Sequence, residues 1–187
     1  MEDTFELQSN QQQREKGNVG EEMVLNKIKQ RYKRAFIKPF KEGVYYAGDI
    51  IIPENSMMHV EVKTDYVVKN TKQVVVEKHD CGKPSGILTT ESKYWIFISP
   101  AENFYWLISV EALLLCLEDR ELTLFEYPNP NAIVEMLVGR KQIQHSPNFF
   151  NDVSKKNLDL YYVPIIILQH FCKSYGYLDE LNLDLIC

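Results

Sequence analysis

Apolar positions recur at helical spacing early in the chain. Val19, Met23, Val24, Ile28 and Tyr32 predict a first amphipathic helix from Asn18 to about Arg34. Residues 1–12 ahead of it read as a loose or partly helical arm. The period then shortens to that of strands. Ala35–Phe40 reads as a short strand or a connection, and Asp49–Ile52 with Met57–Thr64 form a hairpin around the turn residues Pro53-Glu54-Asn55-Ser56. Val67–Glu77 holds a second β-branched run, and the Gly- and Pro-containing stretch 81–86 breaks it. Residues 87–93 read as a short helix or turn, followed by the strands Tyr94–Ile98 and Phe104–Ser109. Ser109 is placed to cap a helix over 110–119, because its hydroxyl can accept from free amides of the first turn. After Arg120 the pattern weakens: 122–127 and Ile133–Val138 are ambiguous, 146–157 is loop-like, and a last helix is expected around Ile165–Tyr175. The order predicts an α/β fold, a mixed sheet covered by helices, with later additions.

The hairpin carries more charge than its apolar strands need. If the turn centres near Asn55, residues whose numbers sum to 110 face each other, so Asp49 opposes Glu61. Equal parity puts both on one side of the sheet, and Lys63 joins them. Directly opposed residues have Cβ atoms about 5 Å apart, where like charges destabilise. Two carboxylates so placed call for a cation between them, or for solvent. Mg²⁺ prefers hard oxygen ligands and makes do with one or two carboxylates plus waters and phosphate oxygens. Asp49 and Glu61 are the candidate metal ligands, the Val62 backbone carbonyl a further one, and Lys63 the group that holds or activates water for in-line attack on phosphorus. Mn²⁺ is a plausible substitute for Mg²⁺. The alternative is an exposed, salt-bridged sheet face of little energetic consequence.

The tripeptide acid-x-Lys does not single out this place. It occurs twice, as Glu61-Val62-Lys63 and Glu91-Ser92-Lys93, about as often as chance allows in a chain of this composition. The second copy follows Asp80 across a segment that cannot be one arm of a regular hairpin, so context selects the first. His59 shares the parity of Glu61 and reads more readily as a partly exposed strand histidine than as a proton carrier. His79-Asp80-Cys81 is one local triplet rather than a constellation, and Trp95 and Trp106 lie in apolar runs that belong to a core.

Composition narrows the setting. The chain has 187 residues, enough for one domain and a small appendage. Its longest apolar run, Tyr161 to Leu168, is broken by Pro164, so no membrane span is expected. The polar N-terminus shows no secretory signal, and four scattered cysteines without CxxC pairing suit reduced thiols in an intracellular protein, cytoplasmic or associated with a nucleoid or nucleus. The net charge of −5 speaks against a polyanion partner only if charge is spread evenly. From Arg14 to Lys41 there are nine basic residues against three acidic ones, while the C-terminal segment is acidic. That polarity leaves room for one basic face toward nucleic acid, or for an ordinary solvated helix face.

Taken together, Asp49, Glu61-Val62-Lys63 and the segment Arg14-Glu15-Lys16-Gly17-Asn18-Val19-Gly20-Glu21 resemble the PD-(D/E)xK nuclease superfamily, whose members include restriction endonucleases and junction resolvases. The helix segment is similar to the RxxGxxxE motif of the resolvase-like branch. The resemblance covers about Arg14 to Leu117, with Gly48 where the name-giving proline would stand. It implies a restriction endonuclease-like mixed sheet in αβββαβ order: an arm at 1–13, a nuclease core at 14–120 and a C-terminal extension at 121–187 packed on it. It also implies that Glu21 binds metal through water or positions Lys63. Residues 83–90, followed by Lys93-Tyr94-Trp95, look like the family segment that leads into a second core helix and faces substrate. Lys83 and Ser85, with Arg14 and Lys16, are therefore candidate nucleic-acid contacts.

The leading expectation is a Mg²⁺-dependent DNA endonuclease acting as a symmetric dimer or higher oligomer. A Holliday-junction resolvase, a catalytically silent nucleic-acid-binding module of the same fold, and action on RNA stay open at this point.

Overall fold

The computed structural model describes residues 2–39, 49–80, 82–117, 144–147 and 158–186. Helix α1 runs Glu2–Ile28, so most of the stretch read as an arm continues the helix. Its Glu, Leu, Gln, Arg and Lys content favours helix without need of a packed face. It also stops earlier than Arg34. Gln30 and Arg31 donate to the carbonyls three residues back, Lys27 and Ile28, a tightened end that turns the chain toward the sheet.

Among the described residues six strands make the main sheet, in the order β1 (Phe36–Ile37), β2 (Ile50–Ile52), β3 (Met58–Thr64), β6 (Tyr94–Ser99), β7 (Phe104–Ser109), β10 (Ser174–Tyr177). The β2–β3 register pairs Ile50 with Val60, Ile51 with His59 and Ile52 with Met58, so partners sum to 110 as the turn chemistry predicts. Ser56 and Met57 adopt left-handed backbone there, and the Asn55 amide donates to the Ile186 carbonyl at 2.8 Å, tying the turn to the C-terminal segment. β3 and β6 are parallel, Glu61 beside Trp95 and Lys63 beside Phe97, and the other neighbours are antiparallel. The result is a mixed α/β fold with a multi-strand sheet flanked by helices.

A parallel pair needs a crossover, and here residues 65–93 supply it. Element order along the chain reads αβββαβ through the fourth strand, but the second helix is only the single turn α2 (Val68–Thr71). The strand after it, β4 (Gln73–Asp80), leaves the main sheet. Lys72 ends α2 in left-handed backbone, and the β-branched run Val74-Val75-Val76 favours an extended chain. β4 joins β5 (Lys83–Pro84), β9 (Leu158–Pro164) and β8 (Gln144–Pro147) in a second, antiparallel sheet of order β5-β4-β9-β8. Residues 85–90, compared above with the approach to a second core helix, form a 3-10 turn at Gly86–Leu88 instead.

Helix α3 (Val110–Leu117) follows β7, and the Ser109 hydroxyl accepts from the Ala112 amide at 3.2 Å, the predicted cap. Helix α4 (Ile165–Phe171) is shorter than expected, because Ser174–Tyr177 leaves it to become β10. The described part of 121–187 thus supplies strands to both sheets. The ambiguous stretches 122–127 and Ile133–Val138, and residues 148–157 of the loop-like stretch, lie outside the described residues.

Alternation divides the core in two. Even-numbered residues of β3 and β6 (Val60, Val62, Tyr94, Ile96, Ile98) pack under α1 at Val24 and Ile28, with Leu178, Leu181 and Ile186. On the other face Trp95, Phe97, Trp106 and Ile108 pack with Val74 and Val76 of β4, α3 and α4. The two tryptophans are core, as expected. The acidic C-terminal segment lies on the end of α1: Lys27 donates to the Asp179 carbonyl and Arg31 pairs with Asp184. Part of the basic run is therefore neutralised within the fold. Among the described residues no helix is long and apolar enough to cross a membrane.

α1 meets the sheet at Gly20. A Cβ there would lie 2.0 Å from the Thr64 hydroxyl and 3.0 Å from Ile98, whereas one at Gly17 would meet nothing. Gly17 contributes its carbonyl, which accepts from that same hydroxyl at 3.1 Å. Gly20→Ala should cost about 1–3 kcal/mol through overpacking, and Gly17→Ala should be neutral or gain up to about 1 kcal/mol from helix propensity. Urea denaturation of the two variants checks the contrast. An equal response of both would contradict this contact.

Candidate functional site

The hairpin register delivers the candidate acids to one place. β2 begins at Ile50, so among the described residues β3 beyond Val60 has no strand neighbour on that side. The Asp49 carboxylate fills the position: its Oδ2 accepts from the Val62 amide at 2.8 Å. A strand residue's N–H and C=O leave by the same edge, so the Val62 carbonyl also faces Asp49's side. Lys63 Nζ lies 2.5 Å from Glu61 Oε1 and 4.9 Å from the centre of the Trp95 ring, which the parallel register sets beside Glu61. The Lys63 side chain keeps 40% of its surface and Glu61 16%. The group is partly buried yet reachable.

Glu21 comes from the other layer. α1 covers the even face of β3, but its close seat on Thr64 sets Glu21 within electrostatic reach of Glu61 and Lys63. Three acids and one lysine thus share a small volume. Burial raises the Asp49 carboxyl from its ordinary 3.8 to about 7, reinforced by the Glu61 charge and opposed by Lys63 and the Val62 hydrogen bond. Burial also raises Glu21, with Glu61 adding to the shift and Lys63 opposing it. Burial draws the Lys63 ammonium down, but the attraction and hydrogen bond of Glu61 with the charges of Asp49 and Glu77 outweigh it, so Lys63 is held above its usual range. The site lacks enough positive charge for its carboxylates.

The candidate nucleic-acid contacts are not gathered here to the same degree. Arg14 lies in α1, and its side chain is outside the described residues. Lys16 Nζ stands 5.9 Å from the centre of the Tyr66 ring, whose hydroxyl donates to the Lys16 carbonyl. Lys83 is exposed on β5, opposite Asp80. Ser85 donates its hydroxyl to Glu77. His59 is on the site's face of β3, paired in register with Ile51, with its Nδ1 buried and lacking a hydrogen-bond partner among the described residues. Glu91 is exposed and in no strand, so the second tripeptide lacks the hairpin setting of the first.

Three residues escaped the sequence reading. Gly20, rather than Gly17, makes the close approach that delivers Glu21. Trp95 supplies the aromatic floor for Lys63, which parallel pairing of β3 with β6 would have shown. Glu77 adds an acid from the second sheet: the chain bulges between Glu77 and His79, and Gly86 packs on the Glu77 backbone in left-handed conformation. Bulges of this kind re-aim side chains near sites. Among the described residues no three His, Cys, Asp or Glu side chains form a ready-made metal cage. No family model matches the chain, and neither a curated protein nor a solved structure matches it at a significant level.

The raised Asp49 carboxyl has a sign that can be tested. Below pH 4 it is protonated in both folded and unfolded chains and makes no difference. Between pH 4 and 7 the unfolded chain releases this proton first, so stability falls as pH rises, and the loss is complete above about 7. Asp49→Asn keeps an acceptor for the Val62 amide and removes the charge. In EDTA it should be more stable than the parent by about 1–3 kcal/mol at pH 8, the gain vanishing near pH 4. Denaturant unfolding across that range checks it, and a variant less stable at pH 8 would contradict the electrostatic account.

Proposed function

We propose that the protein is a Mg²⁺-dependent DNA endonuclease of the PD-(D/E)xK type. The observation that carries this reading is the partly buried Asp49–Glu61 pair, deficient in positive charge and flanked by the Lys63 ammonium. The donor set fits a hard divalent cation. Asp49 Oδ1 and Glu61 Oε2 take no hydrogen bond among the described residues, and the Val62 carbonyl leaves the strand on the same side. Two carboxylates, a carbonyl and water suffice for Mg²⁺, and Mn²⁺ suits the same oxygens.

The residues then divide the work. Asp49 and Glu61 hold the cation, and Glu21 contributes through water or by steadying Lys63. A divalent ion bound there lowers the pKa of water and neutralises charge on the phosphate under attack. Lys63, tethered to Glu61 and resting on Trp95, is a fixed donor that orients the attacking water and offsets charge developing on phosphorus. Its held ammonium suits it to that electrostatic part rather than to a general base at neutral pH. Lys16, Lys83 and the Arg14 end of α1 are the proposed backbone contacts. Cutting both strands calls for two such sites, most simply in a symmetric dimer. Cys172 takes part in no disulfide among the described residues, which accords with an intracellular setting.

The test is incubation with supercoiled plasmid, linear duplex, single strand, four-way junction and RNA, each with Mg²⁺ and with EDTA. Cleavage should require Mg²⁺. Asp49→Ala and Lys63→Ala should each lower the rate about 100-fold or more while DNA binding in EDTA persists. Junction-selective or RNA-selective cutting would redirect the substrate assignment. Parental activity in either variant would remove the mechanism, and binding without any cleavage would favour a silent module.

A further inference from the structure

A second cleft lies away from the carboxylates, between α2, the β6–β7 turn, α4 and β10. Its volume is about 420 Å³, within the range of small-ligand sites. One wall is aromatic: Phe104 packs against Trp106 at 5.0 Å between ring centres and edge-on to Tyr177 at 5.7 Å. Tyr177 is 58% exposed, so its ring is accessible at the mouth. Trp106 is only 3% exposed and backs this wall behind Phe104.

The opposite side of the cleft is cationic. Lys69 and Lys72 both line it, and the one carboxylate present, Glu102, engages Lys69 only loosely at 3.9 Å. Gln169 adds an amide that both donates and accepts. A ligand matched to this set needs a flat ring for the aromatic wall, a polar edge atom for the amide, and an anion for the lysines. Aromatic stacking beside ammonium groups is how proteins hold single nucleotides of a strand. We propose that this cleft binds a nucleotide unit, base against Phe104 and Tyr177 and phosphate at Lys69 and Lys72. The inference does not depend on the nuclease reading, because none of the groups proposed to ligate the cation takes part. The same chemistry is offered by a free mononucleotide or by one residue of a single strand.

Calorimetric titration in EDTA with deoxyadenosine monophosphate, deoxyadenosine, inorganic phosphate and a four-residue oligodeoxyadenylate tests it. The monophosphate should bind saturably, at least tenfold tighter than either the nucleoside or phosphate alone. The exposed pair Lys69→Ala/Lys72→Ala should lose at least tenfold, and Asp49→Asn should bind as the parent does. Tighter binding of the oligomer identifies a strand as the source, and equal binding identifies free nucleotide. Absence of saturable binding to the parent protein, unchanged affinity in the lysine pair variant, or loss of binding in Asp49→Asn would each overturn the assignment.

Discussion

The Asp49 carboxylate stands where a β-strand's backbone would otherwise continue. By accepting the Val62 amide, it satisfies the edge of β3 beyond Val60, where the described pairing with β2 stops, and fixes its own position near Glu61. A buried amide must find an acceptor, and here that need is met by a charged group in a low-dielectric place. The same contact that completes the sheet thus creates the electrostatic strain of the site. Lys63 relieves part of it, and Glu61 and Glu21 add to it.

The surrounding layers hold that arrangement in place. α1 lies against β3 at Gly20 so closely that no side chain fits, which brings Glu21 within electrostatic reach of Glu61 and Lys63. The crossover between β3 and β6 brings β4 over the other face, where Val74 and Val76 seal the core beneath Trp95, and Trp95 in turn supports Lys63. The C-terminal segment closes the first core and engages Lys27 and Arg31. Asp184 therefore offsets the charge of Arg31 just beyond α1, and a polyanion would meet a weaker basic face than the residue tally suggests.

What could be read in advance was local. The turn Pro53–Ser56 set the hairpin register, and parity then placed Glu61 and Lys63 on one face, whereas Asp49 falls just before β2 and its carboxylate reaches the β3 edge at Val62 instead of facing Glu61 as a strand partner. Ser109 announced α3 through its cap, and the apolar runs of β6 and β7 gave the central strands. What escaped was pairing between distant segments. The valine run of β4 carries a clear strand signal, but nothing local says that it pairs with Leu158–Pro164 rather than entering the main sheet. Ser174–Tyr177 looked like the end of a helix because its partner, β7, lies far off in the chain. The choice between Gly17 and Gly20 likewise depends on Thr64, a contact that a helical motif alone does not contain. The site was legible because its geometry follows from one short turn, and the second sheet was not because it depends on closure of long loops.

The central claim is that Asp49 and Glu61 are held together as one half of a cation site. Titration with Mn²⁺, following the free ion by electron paramagnetic resonance, addresses it without reference to any substrate. The account predicts saturable binding to the parent protein, competition by Mg²⁺, and loss of that binding in Glu61→Gln. An ion that stays free at every protein concentration, or binds equally well to Glu61→Gln, would contradict it.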